Sequence, residues 1–166
     1  MCYNAFTEKA RIKQIASKDI KVYKICTVTK HTVISYYYGC AYVPLEITHV
    51  IGITFTEENG FTFVAGGYHS YKNCKWHSYS THKYVYAIVE DTYQAFHSIM
   101  QPVVIAEFII PKGVTYYENN NGEIVSEQVM FTGIIHEPLI HEDNSVESIK
   151  INLNEENRTI STEAGK

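Results

Sequence analysis

Short segments of alternating apolar and polar residues, separated by turn residues, constrain the fold of this chain most strongly. Residues 47–55 and 61–65 alternate on either side of a turn that ends in Asn-Gly, which is the pattern of a β-hairpin. An asparagine-rich turn over residues 118–122 predicts a second hairpin. Residues 103–110 are almost continuously apolar, which predicts a central strand buried on both faces. These patterns indicate an antiparallel-rich sheet.

Two other segments have the pattern of helices. Near the N-terminus, Thr7 is a suitable cap, and isoleucines in the next turns give a short apolar stripe, so we expect a helix over about residues 8–17. In mid-chain, Asp91 or Thr92 caps a segment that Pro102 ends, and its apolar side chains recur at helical spacing. The sequence therefore predicts an α+β fold with an N-terminal helix and one mid-chain helix.

Length and composition indicate one domain. The chain has 166 residues, of which 45% are hydrophobic and 19% charged, so a second core would lack apolar surface to bury. We expect a single α+β domain over residues 1–140 and a polar, acidic tail over 141–166 with one edge strand. A net charge of -4 argues against nucleic acid as a partner. No apolar run is long enough for a membrane span, and no signal-peptide core precedes the domain, so we expect a cytoplasmic location.

Established catalytic and metal motifs are not found in the sequence. It contains no dinucleotide-binding glycine motif, no P-loop and no nucleophile elbow. Four possible zinc ligands, His69, Cys74, His77 and His82, lie within fourteen residues. Their order and spacing match no known finger or knuckle. We therefore predict no catalytic residue, no cofactor and no metal, and leave open whether these four side chains bind one.

The segment 66–76 carries the strongest indication of binding. Its two glycines allow a ligand to approach the backbone, its aromatic rings can stack on a base or a sugar, and its polar side chains can bind phosphate. The alternative is a structural turn whose rings cover one end of the core. With cations from elsewhere in the chain, the predicted ligand-binding residues are Tyr23, Lys24, Tyr68, His69, Ser70, Tyr71, Lys72, Trp76 and Lys112.

Several short motifs resemble a group of small, uncharacterised proteins from phages and gut bacteria. They are Asp-Ile-Lys-Val-Tyr-Lys at 19–24, Gly-Tyr-His-Ser-Tyr at 67–71, Ile-Pro-Lys-Gly at 110–113 and Ile-Val-Ser at 124–126. In that group a Gly-Phe-His loop precedes a strand, and an Ile-Pro-Lys-Gly hairpin leads to a Val-Ser strand. The resemblance covers about residues 19–135. It implies a shared fold and a phage or prophage origin, with the host cytoplasm as location.

A second resemblance is to ADP-ribosyltransferases of the poly-ADP-ribose polymerase type. The glycine–aromatic segment that starts at Gly67 and the strand that ends at Val89 are similar in order to the elements around their nicotinamide pocket. The His-Gly strand motif of that family is missing, and residues 22–24 occupy its place. Glu107 is the nearest candidate for the catalytic glutamate. The resemblance implies a pocket for a ligand like ADP-ribose.

Three functions follow from these patterns. The first is non-enzymatic binding of a small nucleotide-type ligand, such as a phage counter-defence sponge that sequesters an immune signal. The second is an enzyme of ADP-ribosyltransferase or other type with an unrecognised site, in which histidines such as His69 act as acid or base. The third is a protein-interaction module that blocks a host protein through an edge strand near 149–153. Whether the protein forms a homo-oligomer is left open, and we expect no membrane partner.

Overall fold

The computed structural model describes residues 3–30, 32–35, 40–78, 85–89, 92–96, 103–143 and 145–154. Within them, the chain forms strands connected by turns, and the only helical element is one 3-10 turn at Lys9–Arg11. The strands are β1 Gln14–Ile15, β2 Ile20–Thr29, β3 Thr32–Ser35, β4 Ala41–Tyr42, β5 Ile53–Glu58, β6 Phe61–Gly66, β7 Tyr68–Tyr71, β8 Lys75–Ser78, β9 Val85–Val89, β10 Thr92–Phe96, β11 Val104–Ile110, β12 Thr115–Glu118, β13 Glu123–Ser126, β14 Met130–Ile140 and β15 Val146–Asn152.

The predicted α+β class is wrong, because the described chain is almost entirely β-sheet. Where an N-terminal helix was expected, one 3-10 turn is followed by β1, which pairs with β12. The Thr7 hydroxyl accepts a hydrogen bond from the Ala10 amide at 3.3 Å, but the residue that precedes the 3-10 turn is Glu8, and its side chain forms no capping hydrogen bond. The isoleucine stripe does not face a core, because Ile12 and Ile15 are 56% and 62% exposed. Ala10 is buried instead, and strand pairing then extends the chain.

The predicted mid-chain helix is also wrong where the structure describes it. Thr92–Phe96 forms β10, which pairs with β9 in a regular antiparallel register from Thr92 opposite Val89 to Phe96 opposite Val85. Aromatic and β-branched residues suit a strand, and a partner strand close in sequence outweighs helical spacing. The rest of the expected helix lies outside the described residues.

A sheet of ten strands forms most of the molecule. Its main path runs in the order β1-β12-β13-β7-β2-β11-β14-β15, and β3 joins β2 and carries β4. The prediction of a central strand at 103–110 is confirmed: β11 lies between β2 and β14, and six of its seven residues are buried. Two smaller sheets, β8-β9-β10 and β5-β6, complete the described fold.

The two predicted hairpins are confirmed. β5 and β6 pair from Glu58 opposite Phe61, so the loop consists of Asn59 and Gly60 alone. Both loop residues have positive φ, 53° and 80°, as a type I′ turn requires. The asparagine-rich turn connects β12 to β13 in the same antiparallel way.

The two faces of the central sheet carry different cores. Side chains alternate along β2, so Val22, Lys24 and Cys26 lie on one face while Tyr23 and Ile25 lie on the other. The first face supports the largest apolar cluster, which includes the fully buried Phe108 and Phe131. The second supports a smaller cluster of Ile25, Trp76, Val103 and Ile105. A third cluster, around Val125, packs the N-terminal segment and the β5–β6 hairpin against the sheet.

Candidate functional site

A cavity opens where one edge of β2 changes its partner strand. β7 pairs with β2 at Tyr23, opposite Tyr71, whereas β3 pairs with it from Cys26 to Thr29. Between these two contacts the edge of β2 is uncovered, and a cavity of about 310 Å³ lies beside it. We name this the Lys24 cavity. It is lined by Lys24, Ser35, Cys40, Tyr42, Ile51, Val64, Gly66, Gly67, Tyr68 and His69.

Lys24 is the buried cation of this cavity. Its side chain is on the core face of β2, and only 6% of the residue is exposed. The ammonium group donates a hydrogen bond to the backbone oxygen of His69 and lies 5.6 Å from the centre of the Tyr42 ring. No carboxylate among the described residues forms an ion pair with it. Burial lowers the pKa of Lys24 from 10.5 to about 8.

Aromatic side chains form one wall of the Lys24 cavity. Tyr42 packs edge-on against Phe108, with 4.8 Å between ring centres, and edge-on against Tyr68 at 6.2 Å. The Tyr68 hydroxyl donates a hydrogen bond to the backbone oxygen of His49 at 2.9 Å, which fixes its ring. Burial raises the pKa of Tyr42, so this phenol stays neutral at physiological pH. The wall is therefore aromatic and uncharged.

Two consecutive glycines let the opposite wall consist of bare backbone. Gly66 and Gly67 have φ of 81° and 70°, a conformation that side chains disfavour. At Gly66 a Cβ atom would lie 2.0 Å from the backbone oxygen of Gly52, so the two chain segments pass each other in direct contact. A ligand in the Lys24 cavity would meet peptide groups there.

His69 is held in its neutral form. Burial is the main reason that its pKa falls from 6.5 to about 4, and the positive charge of Lys24 lowers it further. A hydrogen bond with the Gly66 backbone opposes the shift. At neutral pH, Lys24 is therefore the cation of this cavity, and His69 contributes an uncharged imidazole.

We expect acid to destabilise the protein through His69. The unfolded chain binds a proton to this imidazole below pH 6.5, whereas the folded protein resists until about pH 4, so stability falls as the pH decreases between these values. The shift corresponds to about 3 kcal/mol. Urea unfolding of wild type and His69→Gln from pH 7 to 4 should show a shallower decline for the variant. Equal slopes for wild type and His69→Gln would contradict the assignment.

A second cavity, of about 300 Å³, lies on the other face of the sheet. We name it the Trp76 cavity. Trp76 is 8% exposed and donates its ring N–H to the backbone oxygen of His136 at 3.0 Å, so its polar atom is already occupied. Burial raises the pKa of the Cys74 thiol to about 12. The lining residues are Tyr23, Cys74, Lys75, Trp76, Ile105, His136, Val146 and Ser148.

Glu107, the glutamate that the transferase resemblance pointed to, lies on the same face as the Trp76 cavity. It is 6% exposed and sits where the pairing of β11 with β14 shifts register. Its carboxylate lies 3.3 Å from the ammonium of Lys21, and the Thr132 hydroxyl is 3.3 Å from its other oxygen. Each carboxylate oxygen therefore has a partner within the fold.

The structure divides the predicted binding residues between several places. Lys24, Tyr68 and His69 line the Lys24 cavity, whereas Tyr23 and Trp76 line the Trp76 cavity. The reason is strand geometry, since neighbouring residues such as Tyr23 and Lys24 point to opposite faces.

The other predicted residues line neither cavity. Tyr71 is partly buried at the end of β7. Lys72 is exposed and forms an ion pair with Glu118 at 3.4 Å. Lys112 is exposed in a turn, where its backbone N–H donates to Asp19. Ser70 is 2% exposed, and its hydroxyl has no hydrogen-bond partner among the described residues.

Sequence reasoning missed half of the Lys24 cavity. Ser35, Cys40 and Tyr42 come from β3 and β4 and the residues beside them, and the backbone N–H of Ser35 donates to the Cys40 oxygen at 2.8 Å. Ile51 and Val64 are apolar strand-like residues with no local sign of a site. The pairing of β3 with β2, and of β4 with β3, brings Ser35, Cys40 and Tyr42 to Lys24, so no local signal marks these three residues.

The structure bears on the metal and membrane predictions through the described residues only. There, no group of three or more His, Cys, Asp or Glu side chains is placed to hold a metal ion. The side chain of His77 and all of His82 lie outside them. In the same part of the chain, no helix has the length and apolar character needed to cross a bilayer.

Comparisons with protein-family models, curated proteins and solved structures gave no match.

Proposed function

We propose that this protein binds a small nucleotide-type ligand in the Lys24 cavity without transforming it. The observation that carries the proposal is a buried ammonium group on a cavity wall with no carboxylate partner among the described residues. Buried charges in proteins are normally paired, because an unpaired ion loses its hydration without compensation. An anionic group of a ligand, such as a phosphate, supplies the missing partner.

The rest of the cavity suits the remainder of such a ligand. Its volume of about 310 Å³ is at the lower end of the range for small-molecule sites. Tyr42 and Tyr68 are each 4% exposed and contribute only a small area of ring to the lining, whereas the backbone at Gly66 and Gly67 is more exposed and offers peptide groups to a base or a sugar. The Trp76 cavity is the weaker candidate, because the charged pair beside it, Lys21 and Glu107, is already formed.

Sequestration of a host immune signal is the biological role that we propose for this binding. Its support is the resemblance of the sequence motifs to small phage proteins. A protein with this role needs affinity and slow release rather than a catalytic group, and a cavity with one buried cation suits that requirement. The ligand is then recovered chemically intact when the protein is denatured.

A matched pair of ligands tests the proposal. We expect adenosine monophosphate to bind at least tenfold more tightly than adenosine, because only the monophosphate brings an anion to Lys24. Isothermal titration measures both affinities, and native mass spectrometry of the purified protein, with a panel of mono- and dinucleotides, finds the preferred ligand. The ligand released on denaturation should have its original mass. No nucleotide binding at millimolar concentration, or release of a cleaved product, would overturn the proposal.

We expect nucleotide affinity to fall as the pH rises above about 8. Lys24 loses its proton there, and the attraction for phosphate disappears with the charge, by about tenfold for each pH unit. The phosphate itself is fully ionised above pH 7. The groups facing Lys24 are Cys26, Cys40, Tyr42 and His69.

Three of these groups keep one protonation state over the measured range. Burial raises the pKa of Cys26 to about 12 and also raises that of Tyr42, whereas His69 is already neutral. Nucleotide-binding titrations at pH values from 7 to 9.5, with wild type and Cys40→Ser, test whether the thiol of Cys40, the fourth group, contributes to the decline. The same decline is expected in both proteins, and an affinity that is constant over this range would exclude Lys24 as the anion site.

A further inference from the structure

We infer that the amine of Lys24 forms a reversible imine with a small aldehyde that enters the Lys24 cavity. This reaction goes beyond the proposed function, because it requires only that the cavity admit a small molecule and not that a nucleotide bind there. The substrate class is an aldehyde about the size of one aromatic ring, which a volume of about 310 Å³ accommodates.

The position of Lys24 is that of a reactive amine. It lies on the wall of a largely apolar cavity, with its nitrogen 5.6 and 5.9 Å from the centres of the neighbouring Tyr42 and Phe108 rings. The groups that face it are the thiols of Cys26 and Cys40, the phenol of Tyr42 and the neutral imidazole of His69, and no carboxylate among the described residues forms an ion pair with it.

These surroundings also favour the free amine. Burial in an apolar site disfavours the ammonium, so a much larger fraction of Lys24 is unprotonated near neutral pH than of a lysine in water. The lowered pKa of about 8 agrees with this geometry. Lysines that react with carbonyl compounds in proteins are activated in this way.

The reaction is balanced without any co-reactant. The ammonium of Lys24 first releases one proton to solvent, and the nitrogen lone pair then attacks the carbonyl carbon, so that a C–N bond forms as the C=O π bond breaks. One proton moves from the nitrogen to the carbonyl oxygen, which gives the carbinolamine. The carbinolamine loses its hydroxyl group together with the remaining proton of the nitrogen as one water molecule, which leaves a C=N double bond. The product is neutral, so imine formation also removes the buried charge.

Reductive trapping tests the inference. Wild-type protein is incubated at pH 7.5 with one equivalent of benzaldehyde and sodium cyanoborohydride, and peptide mapping by mass spectrometry locates the benzyl groups. We expect at least tenfold more modification at Lys24 than at the exposed Lys72. The α-amino group of the chain, which is also partly unprotonated near neutral pH, is resolved as its own peptide. Modification that spreads over the exposed lysines and spares Lys24 would overturn the inference.

Two variants serve as controls. Lys24→Arg keeps the positive charge but cannot form an imine, and Lys24→Met serves in its place if the arginine variant does not fold. Cys40→Leu keeps the amine but fills part of the cavity, so its trapping at Lys24 should fall severalfold, and undiminished trapping would contradict a reaction inside the cavity. Trapping at Lys24 without nucleotide binding would contradict only the proposed function. Nucleotide binding without trapping at Lys24 would contradict only the inference of an imine.

Discussion

Replacing Lys24 by methionine is expected to raise the free energy of unfolding by about 2 kcal/mol at pH 7 and to abolish nucleotide binding. The pKa of this lysine is about 8 instead of 10.5, and each pKa unit corresponds to about 1.36 kcal/mol, so the buried charge destabilises the folded protein by about 3 kcal/mol. Methionine fills a similar volume without the charge. Loss of the hydrogen bond to the His69 oxygen offsets about 1 kcal/mol of the gain.

The effect of Lys24→Met on stability depends on pH, because the pKa of Lys24 differs between the folded and the unfolded chain. Below pH 8 both the folded and the unfolded wild-type chain carry the proton, so the destabilisation is present in full. Between pH 8 and 10.5 the folded protein has released the proton while the unfolded chain still binds it, and the wild type therefore gains stability. The advantage of Lys24→Met should be largest at pH 7 and shrink by pH 9. Urea unfolding at both values measures it.

Lys72→Met is the matched control. This lysine belongs to the same predicted binding segment, but its side chain is 55% exposed and pairs with Glu118 at the surface. Surface ion pairs contribute about 0–1 kcal/mol, so stability should change little and nucleotide affinity should be unaffected. If Lys24→Met were strongly destabilising, the ammonium would have to be well compensated in the folded protein, and the argument for an anionic ligand would fail.

The strands could be predicted where their determinants are local. The Asn59-Gly60 pair dictates a two-residue turn because both residues tolerate positive φ, and the alternating residues on either side then fix the register of β5 and β6. β11 could be placed in the centre of the sheet because an almost uninterrupted apolar run can be buried only between two neighbouring strands.

The helices were mispredicted because distant contacts decide those segments. Residues near Ile12 have helical spacing, but Ala10 is drawn into the cluster around Val125, and β12, a hundred residues later, offers backbone partners to β1. A sequence pattern contains neither of these partners. Helical spacing over one or two turns is weak compared with a strand edge that would otherwise be left unpaired.

The lining of the Lys24 cavity could be predicted only in part, for a related reason. Glycines followed by rings and polar groups mark the segment that includes Tyr68 and His69, and both residues line this cavity. The sequence gives no register between β2 and β7, so it cannot show that Lys24 faces this segment while Tyr23 faces away. The apolar wall from Tyr42 depends on how β3 and β4 return to the sheet, which is a long-range property.

Gly66→Ala should be the most damaging of the single-methyl changes beside the Lys24 cavity. Gly66 and Gly60 have almost the same φ, 81° and 80°, so alanine has a similar backbone penalty of about 1–2 kcal/mol at each. At Gly60 the new methyl group meets nothing within 4 Å, whereas at Gly66 it would lie 2.0 Å from the Gly52 oxygen. A backbone atom cannot rotate away as a side chain can, so one of the two segments must move.

The difference between these two variants therefore isolates the contact between the chain segments. We expect Gly60→Ala to lower the free energy of unfolding by about 1–2 kcal/mol and to bind nucleotide as wild type does, since the β5–β6 turn lies away from the cavity lining. Gly66→Ala should lose at least about 2 kcal/mol more, as overpacking against an immobile group does. Its nucleotide affinity should fall at least tenfold, because Gly66 and Ile51 both line the cavity. Equal stability losses in the two variants would mean that the segments separate freely, and a Gly66→Ala protein with wild-type affinity would place the ligand elsewhere.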